Sequence, residues 1–319
     1  MPAISGRLPD SAPTRSVPIR LGKFPNAWYL DPIVTSTNLA AVLGHGNWEH
    51  YKLPLDGIYA AAAEWKEALA GIERPWLCWN VSPRWCVLQQ RLVQEAGWTP
   101  VVGYDPRSGP PPVIPGGILI DFNRTLQFPV MFFMFPLEFV FLFAPRLAFW
   151  HADLLCRMEN MNKLAGIYNS LKNGEMAAVR DMGGRRYLLS GARHRYWELA
   201  GCTTEGASRD QFQKGTGWWR SFNYHPNCPD ERERAVRDRC RQDFGFGVMY
   251  WKRRYGGKVI EIAQKPLVEG HCTSIGKPDY RRVGPEGDAR NLGAEIDLNY
   301  DIEEVAARLD ILRLLPPEA

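Results

Sequence analysis

Apolar positions along this chain cluster in short runs, and stretches of helical periodicity fill the intervals between them. Trp76–Asn80, Pro100–Tyr104, Ile118–Asp121 and Leu147–Trp150 read as buried strands, because they are apolar on both faces and not alternating. Between the first two, Ser82 stands as an N-cap and Pro83 occupies the first helical position. The segment from Trp85 to Ala96 then runs helically to a stop at Gly97. Upstream, Asp56 caps an Ala-rich helix over Tyr59–Ala70, ended by Gly71. Residues 1–50 carry Pro, Gly and His without periodicity. The pattern therefore divides into an N-terminal extension, 1–72, packed on a main domain, 73–319.

Strands alternating with helices predict an α/β fold, a Rossmann-like mixed sheet flanked by helices. Ligands in such sheets bind beyond the carboxyl ends of the strands. Asn80, Asp105, Asp121 and the His151-Ala152-Asp153 turn all fall at or just after such ends.

The second half is less regular. It predicts a helix over Leu155–Asn173 stopped by Gly174, a strand at Tyr187–Ser190 and a short helix near Tyr196–Ala200. A Gly-, Trp- and polar-rich loop over 202–228 follows, long enough to suggest function. Asp230 then opens a charged helix, Glu231–Gln242, and the five Arg and five acids within Asp230–Asp243 read as a solvated, salt-bridged face. Gly256-Gly257 reads as a turn before a strand at Lys258–Ala263. The last helix is capped by Asp301 with Glu304 three residues on. It buries Ile302, Val305, Leu309 and Leu312 before Pro316-Pro317.

Composition changes this picture little. Lys plus Arg number 39 against 35 Asp plus Glu, and this balance gives no argument for nucleic acid. Seven cysteines without a CxxC pair disfavour a zinc ribbon and fit reduced thiols. The first eighteen residues lack an apolar stretch, so no secretory signal is expected and a cytoplasmic location fits. Phe128–Pro145 is apolar except for Glu138, and with Phe149 it takes in eight of the fourteen Phe. Its longest uncharged run is ten residues, shorter than a membrane span needs, and three prolines interrupt it. Buried core, or contact with a membrane surface or lipid acceptor at the inner face, remain as its readings. At 12% aromatic residues the chain could stack sugars or fill a core.

Three polar residues carry the sharpest chemistry. His151 and Asp153 share a strand face, and with His271 they form an N/O set for a divalent cation. Each alone also fits a packed, hydrogen-bonded side chain. The set HxD…H matches the 2-His-1-carboxylate triad of non-haem Fe(II) oxygenases, and Arg281 lies where their 2-oxoglutarate-binding Arg would.

Longer motifs carry a second resemblance. Arg193–Glu205 (RHRYWELAGCTTE) is similar to the segment of GT-A-fold glycosyltransferases that ends in Gly-Gly, an aromatic residue and Asp/Asn-Glu. Tyr250–His271 (YWKRRYGGKVIEIAQKPLVEGH) resembles that fold's Trp-x-x-Gly-Gly stretch ending in Val-x-His, the polypeptide N-acetylgalactosaminyltransferase version included. Leu147–Leu155 (LAFWHADLL) occupies the place of the strand with the DxD or DxH motif. The resemblance covers roughly residues 75–275, in order.

It implies transfer of a sugar from a nucleotide-diphosphate donor to a glycan or glycolipid acceptor. Asp153 and His271 would hold Mn²⁺ or Mg²⁺ against the donor diphosphate, with His151 at the first acid of DxD. Asp105 and Asn80 would contact the nucleotide. The catalytic base would be Asp243, within Asp243-Phe244-Gly245-Phe246 where the family has an acidic pair, or Glu205. Trp218 and Trp219 would stack on the acceptor. Because DxD is altered, a catalytically degenerate glycan-binding subunit is the third reading.

Overall fold

The computed structural model describes residues 64–80, 82–104, 111–121, 144–180, 195–218, 222–225, 227–240, 245–272 and 301–316. The expected strand at Tyr187–Ser190 and nearly all of the Phe-rich segment lie outside them. Seven strands form one mixed sheet: β1 (Pro75–Trp79), β2 (Thr99–Tyr104), β3 (Ile118–Asp121), β4 (Arg146–Trp150), β5 (Glu175–Arg180), β6 (Tyr196–Thr204) and β7 (Lys258–Ile262). Their spatial order is β3-β2-β1-β4-β6-β5-β7. All pairings are parallel except those of β6, which runs antiparallel to β4 and β5.

The strands are short apolar runs because helices cover both faces. Every residue of β1 is buried, as are the inner residues of β2, β4 and β5. The edges differ: β7 exposes Lys258 and Ile260, and β3 exposes Leu119. Charge and brevity at such edges discourage pairing with another chain.

Helix α1 (Pro83–Glu95) starts as its sequence dictates, with Ser82 extended and Pro83 in the first turn, and Gly97 follows it at φ +76°. Its buried face carries Gln89 and Gln90. Gln90 bonds Pro112 O and Ile114 N, whereas Gln89 reaches the loop after β4. α2 (Met158–Ser170) packs on α1 and β5. Trp76 lies at the centre of an aromatic nest, with Trp98, Trp150 and Tyr168 at 5.5, 5.4 and 5.0 Å between ring centroids. Of the nine Trp described, eight are buried and only Trp197 is partly exposed, so the aromatic excess is mainly core.

The remaining elements are α3 (Glu205–Gln213), α4 (Glu231–Arg237), α5 (Phe246–Tyr255), α6 (Lys265–Val268) and α7 (Ile302–Arg308). Residues 64–68 are also helical, and Trp65 and Leu69 join the main core. No helix among the described residues is long and apolar enough to cross a membrane. All seven cysteines are free thiols, as expected.

Several expectations fail here. The short helix near Tyr196–Ala200 is instead the first half of β6, because pairing with β4 and β5 on either side overrides local propensity. The 202–228 loop contains the end of β6, all of α3 and a 3₁₀ turn at Phe222–Tyr224. β5 and α5 were not anticipated. The last helix ends at Arg308, and Leu312 is exposed.

The charged helix also departs from a solvated face. It ends at Arg237, which is completely buried between the rings of Phe222 and Tyr250. Its guanidinium donates to the carbonyls of Lys214 (2.6 Å), Gly215 and Phe222 (3.1 Å). Glu233 lies 3.7 Å away and accepts from the hydroxyls of Tyr250 and Tyr255 at 2.7 Å each. One planar cation thus gathers three backbone carbonyls, and Glu233 compensates its charge. Arg237→Ala is expected to cost about 3–5 kcal/mol, because it removes a buried cation paired with Glu233 and the shared donor to three carbonyls. Arg237→Lys recovers little, lacking the fork. Urea unfolding measures both.

Candidate metal centre

β4 delivers its residues to the sheet's carboxyl edge. β1 and β4 are neighbours, and the chain leaves them toward opposite sides of the sheet. That is the switch point at which open α/β sheets form a crevice. Trp76 pairs with Ala148 and Leu77 with Phe149, and this register extended sets Trp79 beside His151. Asn80 follows β1 there, buried, its N–H bonded to Gly103 O.

Beyond β4 the chain turns at His151-Ala152-Asp153. His151 N still donates to Leu199 O of β6 at 2.9 Å, and Leu154 N closes the turn on His151 O at 3.1 Å. The buried Gln89 amide donates to both His151 O and Leu154 O at 2.8 Å. The turn is thereby held by β6 on one side and α1 on the other.

A second segment then docks on it. Leu155 N donates to Gly270 O (3.0 Å) and Cys272 N to Asp153 O (2.9 Å), making an antiparallel bridge at Leu154 and His271. Glycine is required at 270: a Cβ there would sit 1.8 Å from Leu155 O.

The bridge brings three side chains together. His151 Nδ1 lies 3.4 Å from His271 Nε2, and each is 3.3 Å from Asp153 Oδ1. His271 is the most enclosed side chain and His151 the most open. Burial alone would lower the His151 imidazolium pKa, but hydrogen bonds and charge from Asp153 and Glu198 outweigh it and push it up to about 10. Burial would raise the Asp153 carboxyl, yet His151 and His271 hold it well below the usual range.

The triangle fits a divalent cation. Ligands about 2.0–2.1 Å from a tetrahedral metal stand about 3.3–3.4 Å from one another. These three donors form a group that can hold a metal ion. Two imidazoles and one carboxylate suit Mn²⁺, Fe²⁺ or Zn²⁺ better than Mg²⁺, which prefers oxygen.

Two neighbours were not anticipated from sequence. Glu198 Oε1 lies 3.6 Å from His151 Nε2, and Arg195 lies 3.9 Å from the other oxygen. Trp197 sets its indole edge-to-face against His271 at 5.0 Å and His151 at 6.5 Å. Reading Tyr196-Trp197-Glu198 as an aromatic-rich strand would have placed both beside β4.

Other expected site residues do not join the triangle. Glu205 opens α3 at the far end of β6, with its N–H on Pro145 O and its carboxylate on Arg209. Six residue steps along the strand carry it about 20 Å from Leu199, so it cannot act as base here. Trp218 is buried against Phe149, ring centroids 5.0 Å apart, and presents no face to an acceptor. Asp105, Trp219 and Asp243 lie outside the described residues.

No protein-family model, characterised protein or solved structure matches the chain.

Asp153→Asn is expected to weaken Mn²⁺ or Zn²⁺ binding at least tenfold, read by titration calorimetry on the folded variant. Gly270→Ala displaces the bridge and is expected to lose cation affinity together with several degrees of melting temperature.

Proposed function

We propose that this chain is a GT-A-type glycosyltransferase that uses a divalent cation to hold a nucleotide-diphosphate sugar. The observation that carries this reading is the meeting of two motifs. His151-x-Asp153 and His271 belong to separate segments of the family resemblance, and their donor atoms converge to 3.3–3.4 Å at the sheet's switch point. The mixed sheet, parallel but for β6, supports the same frame.

The donor set favours Mn²⁺ over Mg²⁺ for the reasons of ligand chemistry given above. When bound, such a cation neutralises the charge that develops on a departing diphosphate. His151, Asp153 and His271 hold it, and Gln89 and the 270–272 bridge keep those ligands in place. Asn80, at the neighbouring strand end, lies where a base or ribose would enter the crevice. Trp197 walls the two histidines with an indole that is partly exposed.

An inverting transfer also needs a carboxylate to take the acceptor hydroxyl's proton. With Glu205 at the wrong end of the sheet, Asp243 is the base in this reading. It precedes Gly245 by two residues, and Gly245 packs so closely on β6 that a Cβ would fall 1.8 Å from Tyr196 O. The acceptor is a glycan or glycoconjugate.

The oxygenase alternative shares the three ligands but rests on an all-β double-stranded helix. The described residues form a mixed α/β sheet flanked by helices, so that frame is absent among them.

A thermal-shift panel of UDP-, GDP-, CMP- and dTDP-sugars, with and without Mn²⁺, tests the proposal. One member at a hundredfold excess over its dissociation constant is expected to add about 2.7 kcal/mol. That raises the melting temperature by about 5–8 °C, only with Mn²⁺, and not in Asp153→Ala. No shift from any member would sink the transferase reading. Glycan binding that survives Asp153→Ala, without hydrolysis of any nucleotide-sugar, would point instead to a binding subunit.

A further inference from the structure

The two ring nitrogens of His151 face different partners. Nδ1 points into the triangle, 3.3 Å from Asp153 Oδ1 and 3.4 Å from His271 Nε2. Nε2 points away from it, toward Glu198 Oε1 at 3.6 Å. Nδ1 and Nε2 diverge from one ring, so Glu198 cannot reach an ion held at Nδ1. It is therefore not a fourth ligand, and its placement needs another explanation.

We propose that Glu198 is the positioning residue of the metal centre: when a cation displaces the Nδ1 proton of the His151 imidazolium, Glu198 holds the remaining proton on Nε2. This rests on the cation reading given above.

The arrangement is built by the fold. His151 N to Leu199 O is a ladder bond between β4 and β6, so Glu198, next to Leu199 in β6, is set beside the His151 ring by backbone pairing. Both Glu198 and Arg195 are only 15% exposed at the side chain, which makes their charge costly unless it is used. Arg195 at 3.9 Å balances that charge, but no hydrogen bond engages Glu198 Oε2 among the described residues. Oε1 is the oxygen that approaches the imidazole, 3.6 Å from Nε2. A carboxylate behind a metal-binding histidine selects its tautomer, fixes its ring and strengthens it as a ligand. Removing such a partner typically costs 10–100-fold in metal affinity.

Free Mn²⁺ can be counted by electron paramagnetic resonance during titration of the full chain. Glu198→Gln, which keeps size and removes charge, is expected to weaken binding about tenfold. Glu198→Ala should weaken it further, toward a hundredfold. Glu205→Gln, the same charge change at the far end of β6, should bind as the wild type does. With Zn²⁺ loaded, ¹⁵N–¹H correlation spectra should show His151 protonated at Nε2 and metal-bound at Nδ1. The melting temperature of metal-free Glu198→Gln should stay near that of the wild type, which separates lost positioning from lost folding.

Wild-type-like Mn²⁺ affinity in both Glu198 variants, or Zn²⁺ bound through Nε2, would overturn the proposal and leave the cation reading intact. A wild-type chain that binds neither Mn²⁺ nor Zn²⁺ would overturn that reading and this one together.

Discussion

Two backbone hydrogen bonds, Leu155 N to Gly270 O and Cys272 N to Asp153 O, hold the candidate site closed. They join segments nearly 120 residues apart. Closing so long a loop in a flexible chain costs roughly 4 kcal/mol beyond a constant, and two exchanged hydrogen bonds return only about 1–3. The bridge therefore persists because β5, β6, α5 and β7, which lie between its halves, are independently packed. It also has a steric requirement in Gly270, whose missing side chain lets the two backbones touch. Through that contact His271 faces His151 and Asp153.

The same economy governs the polar groups inside the domain. Gln89, Gln90, Arg237 and Glu233 are buried, and each ties together segments that apolar packing alone would leave loosely registered. Gln89 braces the turn that carries the ligands, while Arg237 gathers three carbonyls between two aromatic rings. Around them the Trp76 nest fills the space between the sheet and α2. The indoles that composition offered as sugar platforms are mostly buried, in that nest and elsewhere in the core. Trp197 alone, of those described, stands partly open, and it does so against the two histidines.

Much of the first half was legible before any coordinates. β1, α1, β2, β3 and β4 fall within a residue or two of where apolar runs, Ser82-Pro83 and Gly97 put them. These are local signals: a capped helix and doubly buried strands declare themselves in a few residues. His151, Asp153 and His271 were likewise recognisable by residue type. The second half was misread where long-range pairing decides. Tyr196–Ala200 looks locally like a short helix and becomes strand because β4 and β5 offer hydrogen bonds on both sides. That one error hid Glu198 and Trp197. It also left Glu205 in the site, although six residues of strand carry it to the opposite edge.

The sequence by itself determined the kind of fold and the donor atoms available, since both follow from local periodicity and side-chain chemistry. Only the tertiary structure decided which of those atoms meet. An antiparallel strand inserted into an otherwise parallel sheet brings the start of β6, not its end, to the carboxyl edge of β4. A glycine-permitted bridge then closes the centre. Direction and register of this kind are properties of pairing between distant segments, and no single segment encodes them.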